Sequence, residues 1–170
     1  MLTIKTKIEL PIAHCLNKAY TGLCCGNVGR NSNKCFDLGS GLLPVIHGHN
    51  YVVTVELTIP EESMNADGMV VDFKLMKKII HEHLDMYDHS MILTPENPLT
   101  EIYIQNYKEH GINMDETRIF IWCQNPTAEF MAQKWRKELW QKLGQLFPNK
   151  EHKVAVTVEE TSNNSVTCYE

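Results

Sequence analysis

The stretch Val45-Ile46-His47-Gly48-His49-Asn50-Tyr51 decides how the rest of the chain is read. It heads a strand-like run that extends to Ile59, and a strand turns successive side chains to opposite faces. His47 and His49 therefore share a face with Tyr51, Val53, Val55, Leu57 and Ile59, while Asn50, Val52, Thr54, Glu56 and Thr58 take the other. Gly48 leaves room for a close approach to the backbone. Two imidazoles on the apolar side of a strand need a reason to be there. Either a local hydrogen bond satisfies each, or together they hold a metal.

The N-terminal segment supplies a third histidine in the same phase. Between residues 2 and 14, Leu2, Ile4, Ile8, Leu10 and Ile12 alternate with Thr3, Lys5, Lys7, Glu9 and Pro11, the pattern of a half-buried antiparallel strand. His14 continues the apolar phase at the end of that strand. A hairpin between the two strands brings His14 to His47 and His49. Catalytic zinc commonly takes three protein ligands and keeps a fourth position open. The connection, residues 15–44, is long and irregular and carries Cys15, Cys24, Cys25 and Cys35. Structureless loops of that length in a compact domain are usually functional.

The totals narrow the class. At 170 residues the chain is most simply one domain, large enough to bury a core without disulfides. A net charge of −5 gives no reason to expect nucleic acid or an anionic membrane as partner. No apolar run approaches the ~20 residues that span a bilayer. The alternating N-terminus does not read as a signal peptide. Six cysteines without a CxxC pair or regular framework point to a reducing, cytoplasmic compartment.

Beyond Pro60, Asn65-Ala66-Asp67-Gly68 reads as a turn and Asp72 as the cap of a helix whose apolar face is Phe73, Met76, Ile80 and Leu84. Asp88-His89 follows that helix. In the mixed segment 90–116, Leu99 to His110 reads as a short helix stopped by Gly111. Thr117 to Cys123 reads as a third strand. Asn125-Pro126-Thr127-Ala128-Glu129 opens a second long helix with a buried stripe of Met131, Trp135, Leu139 and Leu143. Val154, Val156 and Val158 mark a fourth strand, and Glu160 continues their phase toward the core.

Each of these residues has a plainer reading. Asp88 can orient His89 as a general acid–base pair, but adjacent residues do not usually face each other, and a histidine at a helix end complements the dipole. Glu160 on a buried phase is costly unless paired; a cationic or amide-like ligand or an arginine serves equally. Thr127 and Glu129 fit as helix N-terminal residues. His81 and His83 read as solvated helix-surface residues, and Cys123 and Cys168 as small buried apolar ones. The loop cysteines lie between the metal histidines and are better placed for thiolate chemistry.

Taken together, Ala13-His14, His47-Gly48-His49-Asn50-Tyr51, Gly68-Met69-Val70-Val71-Asp72-Phe73, Asp88-His89, Pro126-Thr127-Ala128-Glu129 and Glu160-Thr161 with Asn163-Asn164 resemble the 6-pyruvoyl-tetrahydropterin synthase / 6-carboxy-tetrahydropterin synthase family. The resemblance runs most of the chain and implies an α+β tunnelling fold. That is a four-stranded antiparallel sheet with two long helices on one face, closed into oligomeric barrels, commonly hexamers of two trimers with intersubunit active sites. It implies Zn2+ on His14, His47 and His49, and 7,8-dihydroneopterin triphosphate as substrate. Glu160 would hold the pterin's amino-pyrimidine edge, with Thr127 and Glu129 lining the pocket. A cysteine would shuttle a side-chain proton, partnered by Asp88 and His89.

The chain departs from the family at that cysteine, which normally lies a few residues before the His-Gly-His motif. Here Cys35 precedes His47 by twelve residues, with an insertion from Phe36 to Ile46 between them. Lys34-Cys35 keeps the local pattern, and Cys25-Gly26 is its rival. The segment from Ser90 to Glu116 is also longer than in compact members. The expected product is 6-carboxy-5,6,7,8-tetrahydropterin, feeding 7-deazaguanine (queuosine) synthesis. The alternatives are 6-pyruvoyl-tetrahydropterin for the tetrahydrobiopterin route, and zinc and pterin binding without lyase activity.

Overall fold

The computed structural model describes residues 1–15, 46–148 and 151–169. Cys35, Cys24, Cys25 and nearly all of the expected loop and insertion lie outside them. Among the described residues, six strands hydrogen-bond in the order β4-β3-β1-β2-β5-β6. They are β1 (Leu2–His14), β2 (His47–Ile59), β3 (Ser90–Leu93), β4 (Ile119–Ile121), β5 (Lys153–Thr161) and β6 (Asn164–Cys168). The helices are α1 (Phe73–Leu84), α2 (Pro98–Glu109) and α3 (Ala128–Gly144). No helix among the described residues is long and apolar enough to cross a membrane. The chain divides into two compact units, each assembled from separated segments.

The first unit comprises Met1–Leu10, Asn50–Asp88 and Ala128–Glu170. Here the alternating patterns fold as read. Lys5 Nζ donates to Glu56 Oε1 at 2.8 Å and the Thr3 and Thr58 hydroxyls meet at 2.9 Å, so β1 and β2 run antiparallel. β2 pairs antiparallel with β5 from Val52↔Glu159 to Thr58↔Lys153. Tyr51, Val53, Val55, Leu57 and Ile59 are all fully buried, as are Val156 and Val158. The helices supply Met76, Ile80 and Leu84 from α1, and Met131, Trp135, Leu139 and Leu143 from α3. Asp72 caps α1, its side chain accepting from the Lys74 N–H at 2.7 Å. Phe73 departs from expectation: it is 68% exposed, because it occupies the first helical position, ahead of the turns that pack.

The second unit comprises Pro11–His49 and His89–Thr127. β3 lies parallel to the end of β1, pairing Ile12↔Ser90 and His14↔Ile92. β4 lies parallel to β3, pairing Met91↔Ile119 and Leu93↔Ile121. Parallel neighbours need a crossover, and α2 is that crossover. Asn97 caps α2 by accepting from the Leu99 N–H, Pro98 stands at a tolerated N-terminal position, and Gly111 at φ +68° follows the helix end.

Among the described residues the sheet is therefore six-stranded and mixed, with three helices, where four antiparallel strands and two long helices were expected. The physical reason is length and pattern. β3 is four residues long and buries Ile92 and Leu93 consecutively, so it shows no period of two. β6 is a polar strand after a short turn, and neither of its faces is fully buried. The expected third strand shrinks to the three residues of β4.

Candidate metal centre and carboxylate site

The second unit gathers His14, His47 and His49. The side-chain pairs between β1 and β2 fix a register in which residue numbers sum to 61, placing His14 opposite His47. Ring centroids are 4.4 Å apart for His14 and His47, 5.8 Å for His14 and His49, and 5.3 Å for His47 and His49. One ring nitrogen from each lies within 4.8 Å of the other two. Nitrogens that share an ion at about 2 Å sit less than about 4 Å apart, so small side-chain rotations complete a site. The close approach read at Gly48 comes from β1 itself. A Cβ there would lie 3.3 Å from the Ile12 carbonyl oxygen and 3.6 Å from the Ala13 Cα.

Chemistry favours a cation here. His14 is 1% exposed, and its pKa falls from 6.5 to about 4. Burial is the largest cause and the neighbouring His47 imidazole the next; the hydrogen bond to Pro126 opposes them, and His49 adds to the depression. At neutral pH His14 is therefore an uncharged imidazole with a lone pair to give. Its Nδ1 lies 2.7 Å from the Pro126 carbonyl oxygen in a buried contact.

The first unit gathers the carboxylate site. Continuing the β2–β5 register sets Tyr51 opposite Glu160, and the Tyr51 hydroxyl donates to Glu160 Oε1 at 3.1 Å. Burial, first, and then the charge and hydrogen bond of Glu160 raise the Tyr51 pKa well above the usual phenol range, with Glu129 contributing further. The phenol is thus a fixed donor, and it answers what stabilises a carboxylate on the buried phase of β5. The sequence gives Tyr51 a place in the apolar phase and in the His47–Tyr51 motif but no role at the site. Its signal was available, since a buried phenol needs a hydrogen-bond partner and Glu160 shares its side of the sheet. Glu129 is exposed in the first turn of α3.

Other site residues are placed without being joined. Thr127 is half-buried, and its N–H donates to the Asn125 carbonyl at 2.8 Å. The turn Asn125–Thr127 precedes α3, so Pro126 lies outside the helix rather than in its first turn. Asp88 is half-buried and closes a single 3-10 turn through its N–H to the Asp85 carbonyl. His89 is exposed with φ +52°, a left-handed backbone held by its N–H to the Pro11 carbonyl at 2.8 Å. Non-glycine residues in that region are uncommon and concentrate at functional sites.

Three plainer expectations change. Cys123 is exposed rather than buried, next to the buried Trp122. His81 and His83 are not simply solvated. His81 Nδ1 lies 3.0 Å from Asp85 and His83 Nε2 lies 2.9 Å from Glu138 on α3, whose other oxygen accepts from Lys134.

With this geometry in hand, comparison with known proteins is informative. A family profile described as 6-pyruvoyl tetrahydropterin synthase matches residues 3–170. A 6-carboxy-5,6,7,8-tetrahydropterin synthase from Rickettsia typhi is 33% identical over 114 residues, covering 66% of this chain and 70% of that protein. Its counterpart from Rickettsia felis is 34% identical over 117 residues with the same coverage. The crystal structure of 6-pyruvoyl tetrahydropterin synthase from Plasmodium vivax superposes with a TM-score of 0.62 over 100% of this chain and 99% of that one, at 14% identity, a likeness of fold.

Proposed function

Because the chain belongs to the 6-pyruvoyl tetrahydropterin synthase family and is a lyase of that type, we propose that it converts 7,8-dihydroneopterin triphosphate to 6-carboxy-5,6,7,8-tetrahydropterin in a zinc-dependent reaction. The observation that carries the reading is the His14–His47–His49 group, three imidazoles with ligand atoms within 4.8 Å of one another. The names of the relatives that share up to about a third of the sequence favour the carboxy product over the pyruvoyl one.

In this reading His14, His47 and His49 hold the metal. Zinc bound there supplies Lewis-acid polarisation of the substrate's side-chain hydroxyls. Glu160 accepts hydrogen bonds from the amino-pyrimidine edge of the pterin, and the Tyr51 hydroxyl holds the carboxylate in place. Thr127 and Glu129 line the same pterin pocket. Asp88 orients His89, and the pair relays a proton to and from the Cys35 thiol, with Cys25 as the rival thiol. The protein works as a homo-oligomer, a hexamer of two trimers with intersubunit sites; β4 and β6, the outer strands of the sheet among the described residues, support pairing between copies. It acts in the cytoplasm on the route to 7-deazaguanines.

Incubating zinc-loaded protein with 7,8-dihydroneopterin triphosphate and identifying the product by mass spectrometry tests this. 6-Carboxytetrahydropterin is expected. A 6-pyruvoyl product reassigns the enzyme to the tetrahydrobiopterin route, and unchanged or merely dephosphorylated substrate overturns the proposal. Separate Cys35→Ala and Cys25→Ala variants assign the thiol: full turnover by the Cys35 variant removes Cys35 from the mechanism.

A further inference from the structure

The metal reading leaves one contact unexplained. His14 is the most buried of the three histidines, and its Nδ1 is engaged 2.7 Å from a backbone oxygen 112 residues away, that of Pro126. A carbonyl oxygen only accepts, so at this distance the ring nitrogen must carry the proton. A nitrogen that bears a proton cannot also bind a metal, so the lone pair that can is on Nε2. The three-residue turn explains why the carbonyl is aimed. Thr127 N–H closes on the Asn125 carbonyl at 2.8 Å, which leaves the Pro126 carbonyl at the corner of the turn. Proline fixes φ near −65° and so limits how that carbonyl can swing. Pro126 is itself buried, and a buried carbonyl needs a donor. His14 and Pro126 therefore satisfy each other.

Resting on the metal-centre reading above, we infer that Pro126 is a positioning residue for the metal. Its carbonyl locks His14 in the Nδ1–H tautomer, so that His14 binds through Nε2. A partner on the far nitrogen of a ligating histidine fixes ring orientation and raises ligand basicity, and its loss typically weakens metal binding about 10–100-fold.

The test uses the full chain. Long-range proton–nitrogen NMR of zinc-loaded wild-type protein is expected to show His14 protonated at Nδ1 and metal-bound at Nε2. His14 bound through Nδ1 overturns the inference and leaves the metal centre standing. Failure of wild-type protein to bind zinc overturns the metal centre itself. Zinc affinity by chelator competition is expected to fall about 10-fold or more in Pro126→Gly, which frees the carbonyl. In Pro126→Ala, which restricts φ more than glycine does, it should fall less, about threefold. Pro126→Gly with the melting temperature of metal-free wild type and unchanged zinc affinity also overturns it. If Pro126→Gly does not fold, the wild-type tautomer decides alone.

Discussion

The two units differ in how their residues are held. In the first, long elements bury continuous stripes: five alternate residues of β2 and five residues of α3 are fully buried. In the second, the histidines share a unit with strands of three and four residues and a crossover helix. β1 and β2 run through both, so their first-unit stretches are anchored in apolar core while their other ends display His14, His47 and His49. The difference teaches that the two candidate sites have different support: the Tyr51–Glu160 pair sits within continuous apolar packing, and the three histidines sit among short elements.

Substitutions that separate binding from packing break this comparison most sharply. His49→Ala removes a ligand while leaving the first-unit stripe untouched. Zinc stoichiometry should fall to near zero, with turnover lower by on the order of 10⁴-fold, several kcal/mol of transition-state stabilisation. The melting temperature of the metal-free protein should barely move. Undiminished zinc in the purified variant sinks the three-histidine site. Trp135→Ala does the reverse. It empties a fully buried position on α3 beside Tyr87, ring centroids 5.6 Å apart. It should cost about 3–5 kcal/mol in denaturant unfolding. A loss below about 1 kcal/mol would mean that the α3 stripe is not what holds the first unit together.

What the sequence revealed follows the same division. Period-two alternation in β1 and β2 alone puts three histidines on one side of the sheet, and the valine phase of β5 does the same for Glu160. Both signals are local and need only strand geometry. Tyr51 was harder, because its hydroxyl is invisible to a hydrophobic pattern that counts the ring. β3 and β6 were hidden because a strand of four residues with consecutive buried side chains, or one with polar side chains, has no period to detect. The Pro126 carbonyl had no signature at all, since every residue has a carbonyl and only a pairing across 112 residues gives this one a role.

A smaller effect sharpens the comparison between metal and carboxylate. Tyr51→Phe removes the donor to Glu160 while keeping the buried ring. Glu160 is half-buried and regains water, so the loss should be nearer 1 than 3 kcal/mol. The expected reading is a KM for the pterin raised about fivefold, with kcat within twofold and zinc content unchanged. An equal fall in kcat with KM unchanged would place Tyr51 in the chemical step instead of in pterin binding.

The smallest effect concerns pH and the α1–α3 packing of the first unit. His83 has its pKa lowered, chiefly by burial; its hydrogen bond and ion pair with Glu138 oppose that, and Lys142 and Lys134 add to it. A histidine whose folded pKa lies below its unfolded value of 6.5 binds fewer protons in the native state. Its contribution to stability is therefore complete above pH 6.5 and is lost as pH falls below that value. His14 acts in the same direction, so wild type alone cannot separate them. His83→Gln keeps a hydrogen-bonding side chain but does not titrate. The drop in melting temperature between pH 7.5 and 5.5, measured on metal-free protein, should be smaller in this variant than in wild type by no more than about 2–4 °C. A larger drop in the variant would mean that the ion pair with Glu138, which strengthens when His83 is protonated, outweighs the cost of burying the charge.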